Sequence, residues 1–547
     1  MTQKRTTHAD ATPIRVAFVT LDAHLGSAAE RALADVRAEI PGLRLSLHAA
    51  AEWAENPSAL ERCKTEIAKA DIIIVTMLFV ENQIEAILPA LQARRDACDA
   101  MVCCMSAGDV IKLTKLGKFD MSLPQKGPMA LLKRLRGGSK GKAAKPGSSS
   151  GAKQMAMLRR LPKILRFIPG TAQDVRAYFL SMQYFLSGSD TNIASMIKLL
   201  ITRYADGERI HYRGSVEPSD PIEYPEVGLY HPRLREPLTE RLDKLPSLTV
   251  SPTKGTVGLI LIRSYLLSGD TGHYDGVIKT LESRGLKVVP AYASGLDARP
   301  AIEKFFMKDG RATVDAVVSL TGFSLVGGPA YNDAKSAEEI LGRLDVPYLA
   351  AHALEFQTLP QWQASDRGLS PIESTIMVAI PEIDGATSPT VFGGRLGAGE
   401  TVCNGCERNC RFETSDGSRD MRVCAERAEQ LTARVERLID LRRSERQNRN
   451  LAVVLFNFPP NAGGTGTAAF LGVYDSLLNT LRRLKDEGYT VDLPETVDEL
   501  RTAILEGNSD RFGTDANVFD MIPVDDHVRR ERYLPEIEAQ WGPAPGR

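Results

Sequence analysis

The stretch ADIIIVTMLFV (Ala70–Val80) is apolar at almost every position, with no polar residue alternating into it. A strand with one wet face alternates; a continuous apolar run is what a strand covered on both faces requires. IRVAFVTLD (Ile14–Asp22) and AMVCCMSA (Ala100–Ala107) have the same character, and LRLSLHAA supplies a further short strand. An amphipathic helical pattern from about Ser27 to Ile40 and a second over 59–69 lie between them. Apolar strands alternating with helices predict a parallel sheet with helices on both faces. Residues 1–125 are therefore expected to form a Rossmann-like domain, without the G-x-G-x-x-G that would argue for a dinucleotide. Cys103 and Cys104 are neighbours on one strand, so their side chains should point to opposite faces as packing residues.

The same grammar recurs. TVGLILIRSYLLSGDTGHYDGVIKTLESRGLKVVPAYAS reads as strand, Gly-containing loop, helix and strand, and VDAVVSLTGFSLVGG and VPYLAA continue that sheet. LAVVLFNFPPNAGGTGTAAFLGVYDSLLNTLRRLKDEGYTVDLP repeats the pattern, and ESRGLKVVP and KDEGYTVDLP match after each helix. At 547 residues one core is too few. The expected fold class is α/β, multi-domain, with several Rossmann-like parallel-sheet units joined by helical segments. The boundaries read as an N-terminal domain 1–125, a basic linker 126–157, a helical segment with loops 158–250 whose two helices break at SGSD, a second α/β unit 251–400, a four-cysteine loop with a charged helix 401–449, and a third α/β unit 450–547.

The formal net charge of −1 gives no general affinity for nucleic acid, but it hides an asymmetry. Between Lys112 and Arg166 stand fifteen Lys and Arg and one acid, Asp120. This Gly/Ser/Lys-rich strip reads as a solvated linker beside a basic helix, or as a docking strip for an acidic partner. Anionic lipid headgroups would serve equally, giving peripheral membrane association. The polar N-terminus shows no secretory h-region, and no apolar run approaches the roughly 20 residues that span a bilayer. The expected compartment is the cytoplasm, where thiols stay reduced.

Four of the eight cysteines fall in one segment: Cys403, Cys406 and Cys410 in TVCNGCERNCRF, and Cys424 in MRVCAERAEQ. Four thiolates are a ligand set for tetrahedral zinc or for an iron–sulfur cluster. Zinc ribbons present two separate C-x2-C pairs; here three cysteines form a tripod and the fourth arrives from outside. That arrangement favours a [4Fe–4S] cluster, with Zn2+ as the alternative, on what should be an exposed loop after GGRLGAGET.

NFPPNAGGTGTAAF places Gly463, Gly464 and Gly466 between a strand and a helix, where free N–H groups suit an anion. They fit a tight packing turn equally well. RSYLLSGDTGHYDG is its analogue, with Arg263 and His273 at the carboxyl edge of the sheet, where ligands of open α/β sheets bind. Tyr230 and His231 in VGLYHPRL are candidates for macrocycle or metal contact, against a structural or surface role. No G-x-x-x-x-G-K-[ST] occurs, so ATP hydrolysis by a P-loop is not expected.

IRVAFVTLDAHLGSAAERA, EVGLYHPRL, TGFSLVGGPA and above all FNFPPNAGGTGTAAFLGVYDSLLNTLRRLKDEGYTV resemble the large H subunits of the magnesium chelatases, over nearly the whole chain. The cobalt chelatase large subunit of cobalamin synthesis shares the PPNAGGTGTAA loop and the GLYHP run. The resemblance implies a porphyrin-binding subunit that takes Mg2+, as substrate, into protoporphyrin IX for (bacterio)chlorophyll synthesis. It also implies two ATPase-type partner subunits, I and D, that use the ATP. The family's large subunits are more than twice this length, so the sequence looks like an N-terminal portion. A porphyrin carrier or sensor without catalysis of its own is the rival expectation.

Overall fold

The computed structural model describes residues 12–21, 25–53, 56–123, 160–248, 253–328, 332–396, 402, 406, 408, 410, 411, 420–456, 465, 466, 468, 470–506 and 522–543. Met1–Ile439 and Asp440–Arg547 are two compact units.

The first unit opens with a six-stranded sheet: β1 (Ile14–Thr20), β2 (Leu43–Ala49), β3 (Ile72–Thr76), β4 (Ala100–Cys104), β5 (Lys115–Leu116) and β6 (Phe119–Asp120), ordered β2-β1-β3-β4-β5-β6. β1 to β4 are parallel, and β5 and β6 close the edge antiparallel. α1 (Leu25–Glu39), α2 (Pro57–Lys69) and α3 (Glu81–Arg94) connect the strands. The continuous apolar runs are explained by burial on both faces. Phe18, Ile74, Val102 and Cys104 enter one core, and Val19, Val75, Met101 and Cys103 enter the other. The adjacent cysteines do point to opposite faces.

Two helices, α4 (Thr171–Ser187) and α5 (Asp190–Tyr204), pack onto the face that holds Phe18. Gly188 at φ +56° ends α4 in a left-handed cap, and the Ser189 side chain caps the start of α5 by accepting from the Asn192 N–H. SGSD is thus a stop followed by a start.

The second sheet has eight strands: β7 (Val227–Tyr230), β8 (Leu238–Thr239), β9 (Gly255–Ile262), β10 (Leu286–Ala293), β13 (Ala316–Ser319), β14 (Tyr348–Thr358), β15 (Thr387–Arg395) and β16 (Arg422–Val423). A small hairpin, β11 (Met307–Lys308) with β12 (Arg311–Ala312), stands outside it. The order is β16-β15-β14-β13-β9-β10-β7-β8. β10, β9, β13, β14 and β15 are parallel, while β7, β8 and β16 run antiparallel at the edges. α6 (Arg263–Ser268) and α7 (Gly272–Ser283) follow β9, α8 (Arg299–Phe305) follows β10, α9 (Ala334–Leu344) precedes β14, and α10 (Ala425–Arg443) follows β16. Gly258 is required in β9, since a Cβ there would lie 2.8 Å from the Phe306 ring. The GLYHP segment, read from sequence as a loop, begins as strand β7, second from the sheet's edge; a four-residue strand is too short to show a period.

The second unit carries helices α11 (Val473–Asp486), α12 (Val497–Leu505), α13 (Val524–Arg530) and α14 (Leu534–Trp541). The strand expected at its start does not form: residues 451–455 stand outside every sheet of the described residues. A parallel strand is held by its neighbours, and no described segment of this unit offers one.

Candidate functional site at a sheet's carboxyl edge

In both sheets the strand order reverses beside the first strand, between β1 and β3 and between β9 and β13. Such reversals open a crevice outside the carboxyl ends of the strands. At the second sheet this edge gathers residues from β9, β13, β14 and β15.

Tyr265, on the turn of helix after β9, donates from Oη to Glu355 Oε1 of β14 at 2.6 Å. Arg395 ends β15 nearby. Burial disfavours its charge, but Tyr265, Glu355 and Asp270 more than offset this and hold the guanidinium more firmly protonated than usual. Asp270 accepts from the Met421 N–H through Oδ1 at 2.8 Å, while its Oδ2 is buried without a partner. Burial, then repulsion from Asp420, pushes the Asp270 carboxyl up to about 7. The first domain reaches this edge too: Arg31 of α1 donates to the Ser268 carbonyl, and the Glu52 charge is felt at Arg395.

His352 of β14 is 1% exposed and neither ring nitrogen has a partner. Burial pushes its imidazolium down to about 4, so it is neutral near pH 7. Above it lies the TGFSLVGG loop, where a Cβ on Gly322 (φ +69°) would sit 3.4 Å from the His352 Cβ and 3.6 Å from Met377. Met377 belongs to a π-helical stretch, Ser374–Ala379, a local irregularity frequent at functional sites. Asp384 pins the loop from beneath, accepting from Ser324 Oγ (2.8 Å), the Leu325 N–H (2.6 Å) and Asn332 Nδ2 (2.6 Å). Glu373, also fully buried, accepts from the Phe356 and Gln357 N–H groups and from Ser370 Oγ. The edge combines a half-buried cation, a carboxyl raised to about 7 and neutral imidazoles, a set suited to holding polar groups of a ligand and exchanging protons with it.

The candidates singled out from sequence divide. His273 lies at this edge, buried against Tyr274, Tyr265 and Phe392, with Nδ1 unpartnered. Burial, with the Arg395 charge behind it, pushes the His273 imidazolium down to about 3. Arg263 is at the edge but donates to the Tyr224 and Pro225 carbonyls, both at 3.0 Å, which fixes the chain ahead of β7. Tyr230 donates to Asp275 Oδ1 at 2.6 Å. His231 is buried: Nε2 stands 3.2 Å from Glu282, and Nδ1 accepts from the Arg233 N–H. Tyr230 and His231 thus tie β7 and the loop after it to α7. Gly463 and Gly464 lie outside the described residues. Gly466 adopts φ +71° and donates to the Phe456 carbonyl at 3.2 Å.

Asp270, His352, Glu355, Glu373, Asp384 and Arg395 escaped the sequence reading. The available signal was a charged or imidazole residue inside or just after an apolar strand, as in AAHALEF and VFGGRLG.

Cys406 and Cys424 are buried in one small cluster with Leu354, Leu359 and Val391, and Cys410 packs against it. The exposed loop expected for these thiols is corrected: Trp362 and the strand ends cover them, and Arg427 stacks over Trp362 at 4.3 Å. Burial raises the Cys410 thiol, which also hydrogen-bonds with Cys406 and feels Cys424. Gly276 on α7 lets Val423 approach, since a Cβ there would meet Val423 Cγ1 at 2.3 Å, and this seats Cys424. Cys403 lies outside the described residues. Cys406, Cys410 and Cys424 are thus neighbours, but among the described residues no three His, Cys, Asp or Glu side chains stand in a metal-holding array.

Fold and site together define a multi-domain α/β protein whose candidate site lies at the carboxyl edge of a doubly wound sheet. The family model described as CobN/Magnesium Chelatase matches residues 182–547, and a domain of unknown function (DUF3479) matches 15–179. The chain belongs to the CobN/magnesium chelatase family. It is 49% identical over 97% of its length to the magnesium-chelatase H subunit of Cereibacter sphaeroides, of which it spans 44%. It is 32% identical over 97% of its length to the chloroplastic magnesium-chelatase ChlH protein of Oryza sativa subsp. japonica, spanning 38% of it. The aerobic cobaltochelatase CobN protein of Pseudomonas aeruginosa is 28% identical over 59% of the chain and 25% of its own length. The chain therefore spans less than half the length of these relatives. The solved catalytic subunit of cobaltochelatase from Mycobacterium tuberculosis shares the fold, at TM-score 0.52 and 17% identity, over 98% of this chain and 36% of that one. No helix among the described residues is long and apolar enough to cross a membrane.

Proposed function

We propose that the chain acts within the porphyrin-handling subunit of a magnesium chelatase, the ATP-dependent complex that inserts Mg2+ into protoporphyrin IX in (bacterio)chlorophyll synthesis. The observation that carries this is the contrast in likeness: 49% identity over 97% of the chain to a magnesium-chelatase H subunit, against 28% over 59% to a cobaltochelatase CobN protein. Mg2+ sheds water reluctantly, and two pyrrole protons must leave, so insertion needs an energy source. With no P-loop in this sequence, that source is assigned to two ATPase-type partners, the I and D subunits. The compartment we propose is the cytoplasm.

The macrocycle is assigned to the edge lined by Tyr265, His273, His352 and Arg395, where a guanidinium can meet a propionate and a neutral imidazole can accept a hydrogen bond. Cys403, Cys406, Cys410 and Cys424 would hold a [4Fe–4S] cluster, or Zn2+ in its place. Magnesium is not redox-active, so such a cluster would supply structure or oxidant sensing.

The test mixes the chain with both ATPase-type subunits, ATP, Mg2+ and protoporphyrin IX, and follows magnesium-porphyrin fluorescence. Turnover supports the chelatase reading. Porphyrin quenching without turnover assigns this chain to carriage, and preference for a corrinoid precursor with cobalt converts it to the cobalt enzyme. ATP hydrolysis by the purified chain alone would remove the argument for partners.

A further inference from the structure

Tyr265 and Asp270 are joined by one turn. Helix α6 ends at Ser268, Gly269 follows at φ +72°, and the Asp270 N–H donates back to the Tyr265 carbonyl at 3.1 Å. Ser268 Oγ donates to the same carbonyl at 3.1 Å, so the turn sets the backbone from which both site residues project. The last carbonyls of a helix have no partner within it and must be met from outside. The Ser268 carbonyl is met by Arg31 of α1, in the first domain. Asp190 of α5 orients the same guanidinium, its Oδ2 lying 3.5 Å from Arg31 Nε. Gly269 makes room for it: a Cβ there would stand 2.6 Å from a terminal nitrogen of Arg31, and the positive φ favours glycine as well. Arg31 belongs to the region matched as DUF3479 and the turn to the CobN/Magnesium Chelatase match, so this bond carries the first domain to the site.

We propose that Arg31 is a positioning residue of the candidate ligand site: by holding the Ser268 carbonyl it sets Tyr265 and Asp270, and so ties the ligand affinity of the second sheet's edge to the first domain. The inference rests on the macrocycle reading of that edge. Tyr265 and Asp270 are otherwise anchored by the second sheet's own surroundings, Tyr265 by Glu355 and Asp270 Oδ1 by the Met421 N–H. Asp270 Oδ2 is buried without a partner, so its aim depends on the turn and not on a second bond. A group aimed at a ligand loses effect when its supporting contacts loosen by a fraction of an ångström. The Arg31 side chain is 45% exposed, and a surface pair of that kind with Asp190 contributes little stability by itself. Its contribution is direction: it fixes one carbonyl of the turn that bears two site residues.

The experiment compares the full chain with Arg31→Gln and Arg31→Lys, by amide hydrogen exchange and by titration of protoporphyrin IX fluorescence quenching. Far-UV circular dichroism should be unchanged in both, since the replaced side chain is half exposed. In Arg31→Gln, exchange at Gly269 and Asp270 should quicken about fivefold or more. Its protoporphyrin binding should weaken about three- to tenfold, and Arg31→Lys, which keeps a charged donor, should recover part of that loss. In a Tyr265→Phe, Asp270→Asn background the same Arg31→Gln change should shift affinity less than about twofold, because the residues it positions no longer contribute. Faster exchange with unchanged affinity would reduce Arg31 to a structural contact and overturn the proposal. Unchanged exchange would overturn it as well, and so would a full-sized Arg31→Gln effect in the doubly substituted background. A wild-type chain that does not quench protoporphyrin would instead sink the macrocycle reading, and the exchange measurement would still decide whether Arg31 holds the turn.

Discussion

Tyr265 Oη donates to Glu355 Oε1 at 2.6 Å, joining the helical turn after β9 to the far end of β14 across β13. The bond bridges the point where strand order reverses, and Arg395 stands beside both partners. A hydrogen bond to a charged acceptor is worth about 1.5–3 kcal/mol net. Tyr265→Phe should cost about that, and Glu355→Gln somewhat more, because it also removes the charge facing Arg395. A double-mutant cycle by urea denaturation should return a coupling of about 1–3 kcal/mol. Strict additivity would mean that the pair contributes nothing as a pair.

Asp270 and the buried histidines pull stability in opposite directions with pH. The Asp270 carboxyl is raised to about 7 in the folded chain, so the folded state holds that proton over a window from about pH 4 to 7 where the unfolded state has lost it. This contribution falls as pH rises through that window, by at most about 4 kcal/mol. Asp270→Asn keeps the acceptor for the Met421 N–H and removes the titration. Its stability, measured from urea midpoints, should therefore gain on the wild type between pH 5 and 7. Parallel curves would show that Asp270 does not carry the titration.

His352 works the other way. Its folded value near 4 lies below the ordinary value of about 6.5, so the unfolded chain takes up the proton first. Stability is complete above that ordinary value and is lost as pH falls toward 4. His352→Phe should remove a loss of about 2 kcal/mol at pH 5 while changing little at pH 7.5. His273 contributes a similar slope in both proteins, so it cancels in the comparison. Equal acid sensitivity of wild type and variant would place the loss elsewhere.

The layers were legible in the sequence because burial on both faces writes itself as a continuous apolar run. Phe18, Ile74 and Val102 on one side and Val75 and Met101 on the other are that run folded. The short strands β7 and β16 were not legible, since four and two residues carry no period. The site was less legible than the sheet. Arg263 and His231 were candidates for ligand contact, with a structural role open for His231, and their partners are backbone carbonyls and a glutamate on another helix, reached only once the chain has folded. His352, Glu355 and Arg395 gain their character from a long-range meeting at one edge, which no local pattern records.

Asp384 should control the loop over His352. It is 2% exposed and accepts three hydrogen bonds that hold Ser324, Leu325 and Asn332. Asp384→Ala leaves the buried Leu325 N–H without its acceptor, while Ser324 Oγ keeps the Val326 carbonyl and Asn332 Nδ2 keeps Ser324 Oγ, and should cost about 1–3 kcal/mol. Asp384→Asn keeps some acceptor capacity and should cost less. If the loop covers the ligand crevice, protoporphyrin quenching should weaken in Asp384→Asn even at temperatures where the variant is fully folded. Unchanged quenching in the folded variant would limit Asp384 to a structural role.

The cysteines supply the last prediction, and burial decides how it must be read. Cys424 is fully buried, so Cys424→Ser perturbs packing as well as any metal centre. Cys410 is only partly covered, which makes Cys410→Ser the cleaner variant. Four thiolates neutralise a cluster's charge best together, so losing one should abolish or strongly deplete iron and sulfide in protein isolated without oxygen. Thermal unfolding should then show whether metal stabilises the fold, because anything that binds the native state alone raises its midpoint. The wild type should melt higher with the centre than after chelation, while Cys410→Ser should melt alike with and without chelator. Stoichiometric zinc without iron would turn the centre into a structural zinc site. If neither metal is found under strict anaerobiosis, and chelation leaves wild-type melting unchanged, then Cys406, Cys410 and Cys424 are packing residues of the pocket formed by Leu354, Leu359 and Val391.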